Sequence, residues 1–490
     1  MSVEPLDVAV IGAGTAGLSA REEVAKATDR YRVFDPGPYG TTCARNACMP
    51  SKALLQSAHD FHRRHAFAAL GIAGAEHLRV DAGRVLAETR ALRDDLVAAV
   101  LEDMESWRAT HLVPHAPVCE ADGTLRAGGR RFRPRATVVA TGSRPVVPGP
   151  WRARLGERVM TSDDVFELED LPARVAVVGL GPVGLELGQA LARLGVEVTG
   201  FDPAPSIGGL SDPALQSRLR AALEAEMTVV AAEIDPAPAA DGAVAIRWDG
   251  GEIEVDRVLA AMGRRPNLEG LGLEALGVDL EAGGPGALPV DRLDLPGPNL
   301  HFAGDCGPGP ALLHEAADEG RIAGRAAARG EAAAFRRRAP LRLVFSDPQI
   351  AVVGADHAEL EARGEEVVAG EADFDASGRT RLQRSGGGAV RVYAERASAR
   401  LLGAAVVAPA AEHLGHLLAR AVERGEDLRE LLRMPAYHPT HEEVLRRALR
   451  AALARCDVEV DPLEEIRCAD TPVDRDAAGG AAEARARASA

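Results

Sequence analysis

Residues 8–20 read VAVIGAGTAGLSA and residues 175–187 read VAVVGLGPVGLEL. Each stretch gives a short apolar strand, a G-x-G-x-x-G turn and the start of an apolar-striped helix. About twenty residues further on, at the same offset from the glycines, come RVFDPGP (32–38) and TGFDPAP (199–205). The chain therefore holds a distant internal repeat of two dinucleotide-binding units. One such motif alone is a weak signal; two in register, each with its acidic residue, are a strong one.

The chemistry of each unit follows from its glycines. Gly12 and Gly179 make the tight turn, Gly14 and Gly181 let backbone approach a pyrophosphate, and Gly17 and Gly184 let helix and strand pack closely. Asp35 and Asp202 end the second strand of each unit. A carboxylate there accepts hydrogen bonds from ribose hydroxyls and repels a 2′-phosphate, so Asp202 favours NAD over NADP.

Between the units lies GTTCARNACMPSK, residues 40–52, with Cys43 and Cys48 in one short segment. Bridged cysteines need Cα atoms within about 7 Å. Residues five apart in a regular helix sit just beyond that, so the segment is expected to be a distorted helix start. Backbone N–H groups there point at a sulfur and favour the thiolate. The pair reads as a reversible disulfide or as two coincidental buried thiols. Of 57 basic residues only Lys26 and Lys52 are lysine, and Lys52 closes this motif. Either a compact ammonium is needed there, or one of the two lysines falls there by chance.

Composition narrows the classes. A chain of 490 residues with 46% hydrophobic residues suits about three soluble globular domains. A formal charge of −16 without a dense basic block argues against a nucleic-acid partner. No apolar run has membrane-spanning length and the N-terminus lacks an export signal, so no membrane association and a cytoplasmic location are expected. Six cysteines in such a chain do not form a secreted framework, and a disulfide kept in a reducing compartment would be catalytic. No metal site is expected.

Helical spacing is read over 53–70 and 83–107, and short strands over 112–141. TVVATGSRP (137–145) ends in a loop, AMGRRPN (261–267) is a strand leaving into a turn, and NLHFAGDC (299–306) is a strand ending in Gly-Asp before a helix. From Pro340 strand-like runs precede helices at 410–433 and 440–455, which suggests an α+β domain. The Ala, Arg and Gly-rich tail is expected to be disordered.

Residues 435–445 read PAYHPTHEEVL. Pro439 holds His438 outside the first helical turn while Glu443 can reach back to it, an arrangement that fixes the tautomer of a base able to deprotonate a thiol. A surface histidine near a helix cap is the alternative.

Taken together, the paired nucleotide units, Cys-x4-Cys-Met-Pro-Ser-Lys, the Ala-Thr-Gly loop, the Gly-Asp strand end and His-Pro-x-x-x-Glu resemble the flavin-dependent class I pyridine nucleotide-disulfide oxidoreductases, most of all the dihydrolipoyl dehydrogenases. The resemblance spans about residues 6–455. It implies an α/β fold with two Rossmann-like dinucleotide-binding domains and a C-terminal α+β dimerisation domain. The implied parts are an FAD-binding domain over 1–150, an NAD-binding domain over 151–275, a second FAD or central part over 276–338, a dimerisation domain over 339–460 and a tail over 461–490.

It further implies FAD held by Gly12, Gly14, Gly17, Asp35, Thr42, Lys52, Thr141, Gly142, Ser143, Gly304, Asp305 and the segment Ala311, Leu312, Leu313 and His314. NAD would be held by Gly179, Gly181, Gly184, Glu186, Asp202 and Gly263. Lys52 would pair with Glu186 beside the flavin, Cys48 would face the flavin, and Cys43 would exchange with a small dithiol or a lipoyl-carrying protein. His438 and Glu443 would serve the partner subunit's disulfide in a homodimer.

Several positions depart from the family pattern. Thr41 stands where a glycine is usual, Asn46-Ala47 where Val-Gly is usual, and Ala436-Tyr437 where the dehydrogenases usually have His-Ala before His-Pro. Alanine at 47 is expected to change little, because it suits a helix. The alternatives are an NAD(P)H-dependent reductase of another disulfide or of mercuric ion, and a flavoprotein scaffold in a larger complex. Cys119, Cys306, Cys456 and Cys468 read as ordinary thiols.

Overall fold

The computed structural model describes residues 3–460 apart from 205, 296–298, 365 and 386. The expected tail and Cys468 lie outside the described residues. The chain divides into two compact units. One comprises residues up to 210, 216–338 and 344–347; the other comprises 211–215, 339–343 and the residues from 348.

In the first unit, β1 (Val3–Ile11) feeds through the glycine turn into α1 (Thr15–Ala25) and then β2 (Tyr31–Phe34). Helices α2 (Thr42–Asn46) and α3 (Cys48–His62) follow. The sheet continues through β3 (Arg130–Val139), and β1 runs parallel to both β2 and β3. Leu300–Phe302 adds a parallel strand beyond β3. Fully buried Val8, Val10, Val33 and Val138 show why these runs are continuously apolar: helices or loops cover both faces.

The second sheet repeats that plan. β4 (Arg174–Val178) leads into α4 (Pro182–Arg193) and β5 (Glu197–Phe201), and β6 (Arg257–Ala260) lies parallel on the other side of β4. In both sheets the glycine turn leaves the central strand where strand order reverses, and that crevice is where an open α/β sheet binds its ligand. Three antiparallel strands, 235–238, 244–248 and 251–255, form a further small sheet. The long helix α5 (Leu313–Arg329) returns to the first sheet. It lies so close to α1 that a methyl group at Gly320 or Gly324 would come within 2.2 or 2.4 Å of the Ala16 or Ala20 carbonyl oxygen.

The second unit has a five-stranded sheet that includes Gln349–Gly354, Val367–Asp373, Ala389–Glu395 and Leu401–Ala408, backed by helices. The run expected as one helix over 410–433 is two, Ala411–Arg424 and Leu428–Leu432. Gly425 ends the first at φ 66°, and the Asp427 carboxylate with Glu430 forms a capping box that starts the second. The last helix, α6 (Glu442–Leu453), buries Val444, Leu445, Ala448, Leu449, Ala452 and Leu453 on one side. The helix expected over 53–70 instead starts at Cys48, ends at His62 and continues only as short 3-10 turns.

Candidate active site

The two glycine turns are close copies. Gly12 and Gly179 have φ of 108° and 92°, and a methyl group on either would strike a carbonyl oxygen of the neighbouring strand end, Ala140 at 2.3 Å or Ala261 at 2.4 Å. At Gly17 and Gly184 it would strike the Gly12 and Gly179 carbonyl oxygens at 2.0 and 1.9 Å. At Gly14 and Gly181 it would meet nothing within 4 Å, which leaves those backbones open to a pyrophosphate at a helix N-terminus. Each acidic residue also clamps its own turn. Asp35 accepts the Ala13 and Gly37 N–H groups, both at 2.6 Å, and Asp202 accepts those of Leu180 at 2.7 Å and Ala204 at 2.9 Å. Spacing pointed to ribose contact and gave no sign of this second task.

The cysteine segment is a pair of helices broken at Ala47 (φ −134°, ψ −103°). Ala47 is therefore a joint, and its helix propensity, on which the expected small effect rested, does not apply. Both cysteines are thiols in this structure. The Cys43 thiol hydrogen-bonds to Cys48, and this bond, aided by the Lys52 ammonium and opposed by burial, lowers Cys48 to about 6. Cys43 is pushed up by the same bond, by burial and by the Cys48 charge. The two sulfurs are thus shifted in opposite directions, Cys48 toward the thiolate and Cys43 toward the thiol.

Lys52 lies on α3, one turn after Cys48, and its Nζ is 2.7 Å from Glu186 Oε2 on α4. Phe345, which sequence reasoning missed, completes the group. Its backbone N–H donates to Glu186 Oε1 at 2.9 Å, and its ring lies 4.8 Å beneath the ammonium. Gln189 and Arg193, further along α4, hold the same segment through Asp347. The glutamate, glutamine and arginine at i, i+3 and i+7 of the α4 helix were the available signal.

The Ala-Thr-Gly loop and the GRRPN turn, two separate motifs in sequence, pair as short antiparallel strands, Ser143–Pro145 with Arg264–Pro266. Asn267 Nδ2 donates to the Thr141 carbonyl at 3.1 Å, and the Arg264 guanidinium donates to Ser143 Oγ at 2.8 Å. Ser143 in turn donates to Asp305 at 2.6 Å. The turn before Asp305 is fixed from below by buried Glu319, which accepts the Gly304 N–H at 2.7 Å and pairs with Arg337 at 2.5 Å. Arg264, Asn267, Glu319 and Arg337 were not foreseen. Thr42 opens α2, while Ala311, Leu313 and His314 are exposed around the start of α5. Neither Gly142 nor Gly263 has an atom within 4 Å of an added methyl group. The open backbone at Gly142, with that at Gly14 and the carboxylate of Asp35, fits FAD, and the open backbone at Gly263, with that at Gly181, fits the nicotinamide nucleotide.

In the second unit, His438 Nδ1 lies 3.1 and 3.2 Å from the two Glu443 oxygens, and the Thr440 N–H also donates to Glu443. The hydrogen bond to His438 holds the Glu443 carboxyl below its usual range. The imidazole is 79% exposed, with its other nitrogen directed away from Glu443. Tyr437 is also exposed.

A family model described as pyridine nucleotide-disulphide oxidoreductase matches residues 6–320, and that family's dimerisation domain matches 341–449. The chain belongs to this family. Pyridine nucleotide-disulphide oxidoreductases are FAD-containing, NAD(P)-dependent enzymes, and the matched dimerisation domain supports a homodimer. Mitochondrial dihydrolipoyl dehydrogenase of Homo sapiens is 28% identical over 464 residues, 91% of this chain and 90% of that protein. The Rattus norvegicus enzyme is 28% identical over 468 residues, with the same coverage. Among solved structures, the Cu(II) complex of the HOCl-induced flavoprotein disulfide reductase RclA from Escherichia coli shares the fold with a TM-score of 0.78. Its identity is 20%, over 92% of this chain and 99% of that one. LpdA from Mycobacterium tuberculosis has a TM-score of 0.75 and 24% identity over 91% and 99%. No helix among the described residues is long and apolar enough to cross a membrane.

Proposed function

We propose that the chain is a cytoplasmic dihydrolipoyl dehydrogenase-like enzyme that passes an electron pair from a dithiol, through the Cys43–Cys48 pair, to NAD. The observation that supports this most is the Lys52 ammonium, one turn after Cys48 on α3 and anchored 2.7 Å from Glu186, which fixes a positive charge beside one sulfur of the pair. Cys48 is the thiolate, stabilised by Cys43 and Lys52, and Cys43 is the exchanging sulfur.

In the oxidised enzyme the two sulfurs are bonded to each other. His438 of the partner subunit takes the proton of a substrate thiol, and the resulting thiolate attacks Cys43 Sγ. The Cys43–Cys48 bond breaks, and Cys48 leaves as the thiolate for which its surroundings are suited. The second substrate thiol then displaces Cys43, releasing the substrate as a disulfide with two electrons fewer and the enzyme as a dithiol. FAD, which the turn of Gly12, Gly14 and Gly17 and the Asp35 carboxylate would hold, would supply the two-electron chemistry that links the Cys48 thiolate to the nicotinamide and lets the disulfide re-form. Glu443 holds the imidazole, and Lys52 with Glu186 holds the charge beside Cys48.

Asp202 supports NAD: both its oxygens are fixed by backbone donors, and Pro203 and Ala204 supply no cation for a 2′-phosphate. Run in reverse, the same residues reduce a disulfide with NADH, and Ala47 and Tyr437 mark where the chain departs from the dehydrogenases' pattern. Steady-state NAD reduction by dihydrolipoamide, compared with NADH and NADPH oxidation by lipoamide, glutathione disulfide and mercuric ion, tests the reading. Turnover with NAD(H) and a dithiol–disulfide couple is expected. NADPH oxidation driven by mercuric ion alone would replace it.

A further inference from the structure

Phe345, Ser346 and Asp347 lie outside any helix or strand, and α4 holds them in place. Glu186, Gln189 and Arg193 stand at i, i+3 and i+7 of that helix, so their side chains leave one face. Glu186 Oε1 accepts the Phe345 N–H at 2.9 Å, and the Gln189 carboxamide accepts the Asp347 N–H and donates to the Asp347 carbonyl, both at 2.7 Å. Arg193, whose side chain is 2% exposed, donates to Asp347 Oδ2 at 3.0 Å. A segment bonded at so many points cannot swing, so the Phe345 ring is fixed. Its centroid is 4.8 Å from Lys52 Nζ. With Oε1 engaged by the Phe345 N–H, Glu186 offers Oε2 to the same ammonium at 2.7 Å. One residue therefore acts on the ion pair from both sides.

We infer that Phe345 is a positioning residue for the redox pair: its N–H orients Glu186, its ring holds the Lys52 ammonium, and the side chain at 345 thereby sets how readily Cys48 carries negative charge. This rests on the reading of Cys48 as the sulfur that leaves as a thiolate. Lysine carries its charge on a flexible stem, and Lys52 is 35% exposed, so water competes for the open side of the ammonium. A π face attracts a cation most where solvent is partly excluded, and the ring offsets the hydration that Nζ would gain by swinging outward. An aliphatic side chain of similar bulk packs against the stem but has no quadrupole to hold the charge. Once Nζ moves outward, the distance and the effective dielectric between it and Cys48 both rise, and the thiolate loses stabilisation. Glu186 stays where the Phe345 N–H keeps it, and its charge opposes the Cys48 thiolate. Both changes push Cys48 toward the thiol.

Alkylation of the reduced holoenzyme by iodoacetamide across pH, with the Cys48 peptide followed by mass spectrometry, reads the ionisation of Cys48 without turnover. F345L is expected to weaken that ionisation roughly threefold, a midpoint rise of about 0.5 pH unit, while F345Y, which keeps a π face, stays within about 0.2 unit of the wild type. Loss of packing alone would lower stability in F345L without moving the midpoint. Flavin content and dimer mass check folding, and if F345L does not fold, F345M carries the test. An unchanged or lowered midpoint in the folded F345L or F345M, or an equal rise in F345Y, would overturn the inference. The expected shifts in an enzyme that turns over no disulfide would remove the catalytic reading and leave the positioning role standing.

Discussion

Lys52 and Glu186, which are 134 residues apart, meet at 2.7 Å and join the redox helix to the second nucleotide-binding fold. The glutamate is 7% exposed and the lysine 35%, so the pair is held mainly out of water at the glutamate end. Its lysine stands one turn from Cys48, and its charge favours the Cys48 thiolate.

Replacing Lys52 with methionine leaves Glu186 with the Phe345 N–H and no cation. A fully buried pair broken in this way costs about 3–5 kcal/mol, and the partly open lysine brings the expected loss to roughly 1–3 kcal/mol. Denaturant midpoints measure it. The same variant is expected to raise the apparent pKa of Cys48, read from thiol alkylation of the reduced enzyme against pH.

Cys48 itself gives a prediction of sign. Its folded value, about 6, lies below the ordinary thiol value of 9.0, so thiolate persists across neutral pH. In the reduced protein its stabilising contribution is full above about 9 and is lost as pH falls through about 6. Cys43 is shifted the other way and destabilises the folded form once an unfolded thiol would ionise, above about 9. Stability of the reduced enzyme is therefore expected to rise between pH 6 and 9 relative to Cys48→Ser, as measured by chemical denaturation. A flat difference across that window would contradict the assignment.

Thr41 adopts φ 61° and ψ 149°, a region that suits glycine, and caps α2 by accepting the Ala44 N–H at 3.3 Å. Such strain costs about 1–3 kcal/mol. Glycine would remove it while losing a few tenths for the cap and roughly 0.5–1 kcal/mol in chain entropy. Thr41→Gly is expected to stabilise the protein by about 0.5–1.5 kcal/mol, a Tm rise of about 1–3 °C by calorimetry. A lower Tm would show that the cap outweighs the strain.

The difference between what sequence reveals and what it hides is physical. Glycine turns, terminal aspartates and the cysteine and His-Pro motifs are local, because each sets its chemistry within a few residues. Helix breaks at Gly425 and Ala47 were less visible, since the apolar stripe runs on across the first and alanine gives no break signal at the second. Long-range partners were the least visible. Phe345, Arg264 and Arg337 act through contacts that span 159, 121 and 18 residues, and no periodicity connects such positions. Lys52 and Glu186 became a pair in sequence only through the family resemblance.

Glu443 holds His438 through Nδ1, so Glu443→Gln keeps the size and removes the charge. It is expected to lower kcat for dithiol oxidation about 10- to 100-fold with little change in the KM for NAD. Rapid-mixing measurement of flavin reduction by NADH serves as the internal control, because that step does not use His438. Equal losses in both half-reactions would point to misfolding instead of lost proton transfer.

Anaerobic reductive titration of the FAD-loaded enzyme tests most directly whether Cys43 and Cys48 work with the flavin. The account predicts uptake of four electrons per subunit, with a long-wavelength absorbance band from the Cys48 thiolate against oxidised FAD after the first two; in Cys48→Ser the uptake falls to two and the band is lost. Two-electron uptake by the wild type, without that band, would contradict it.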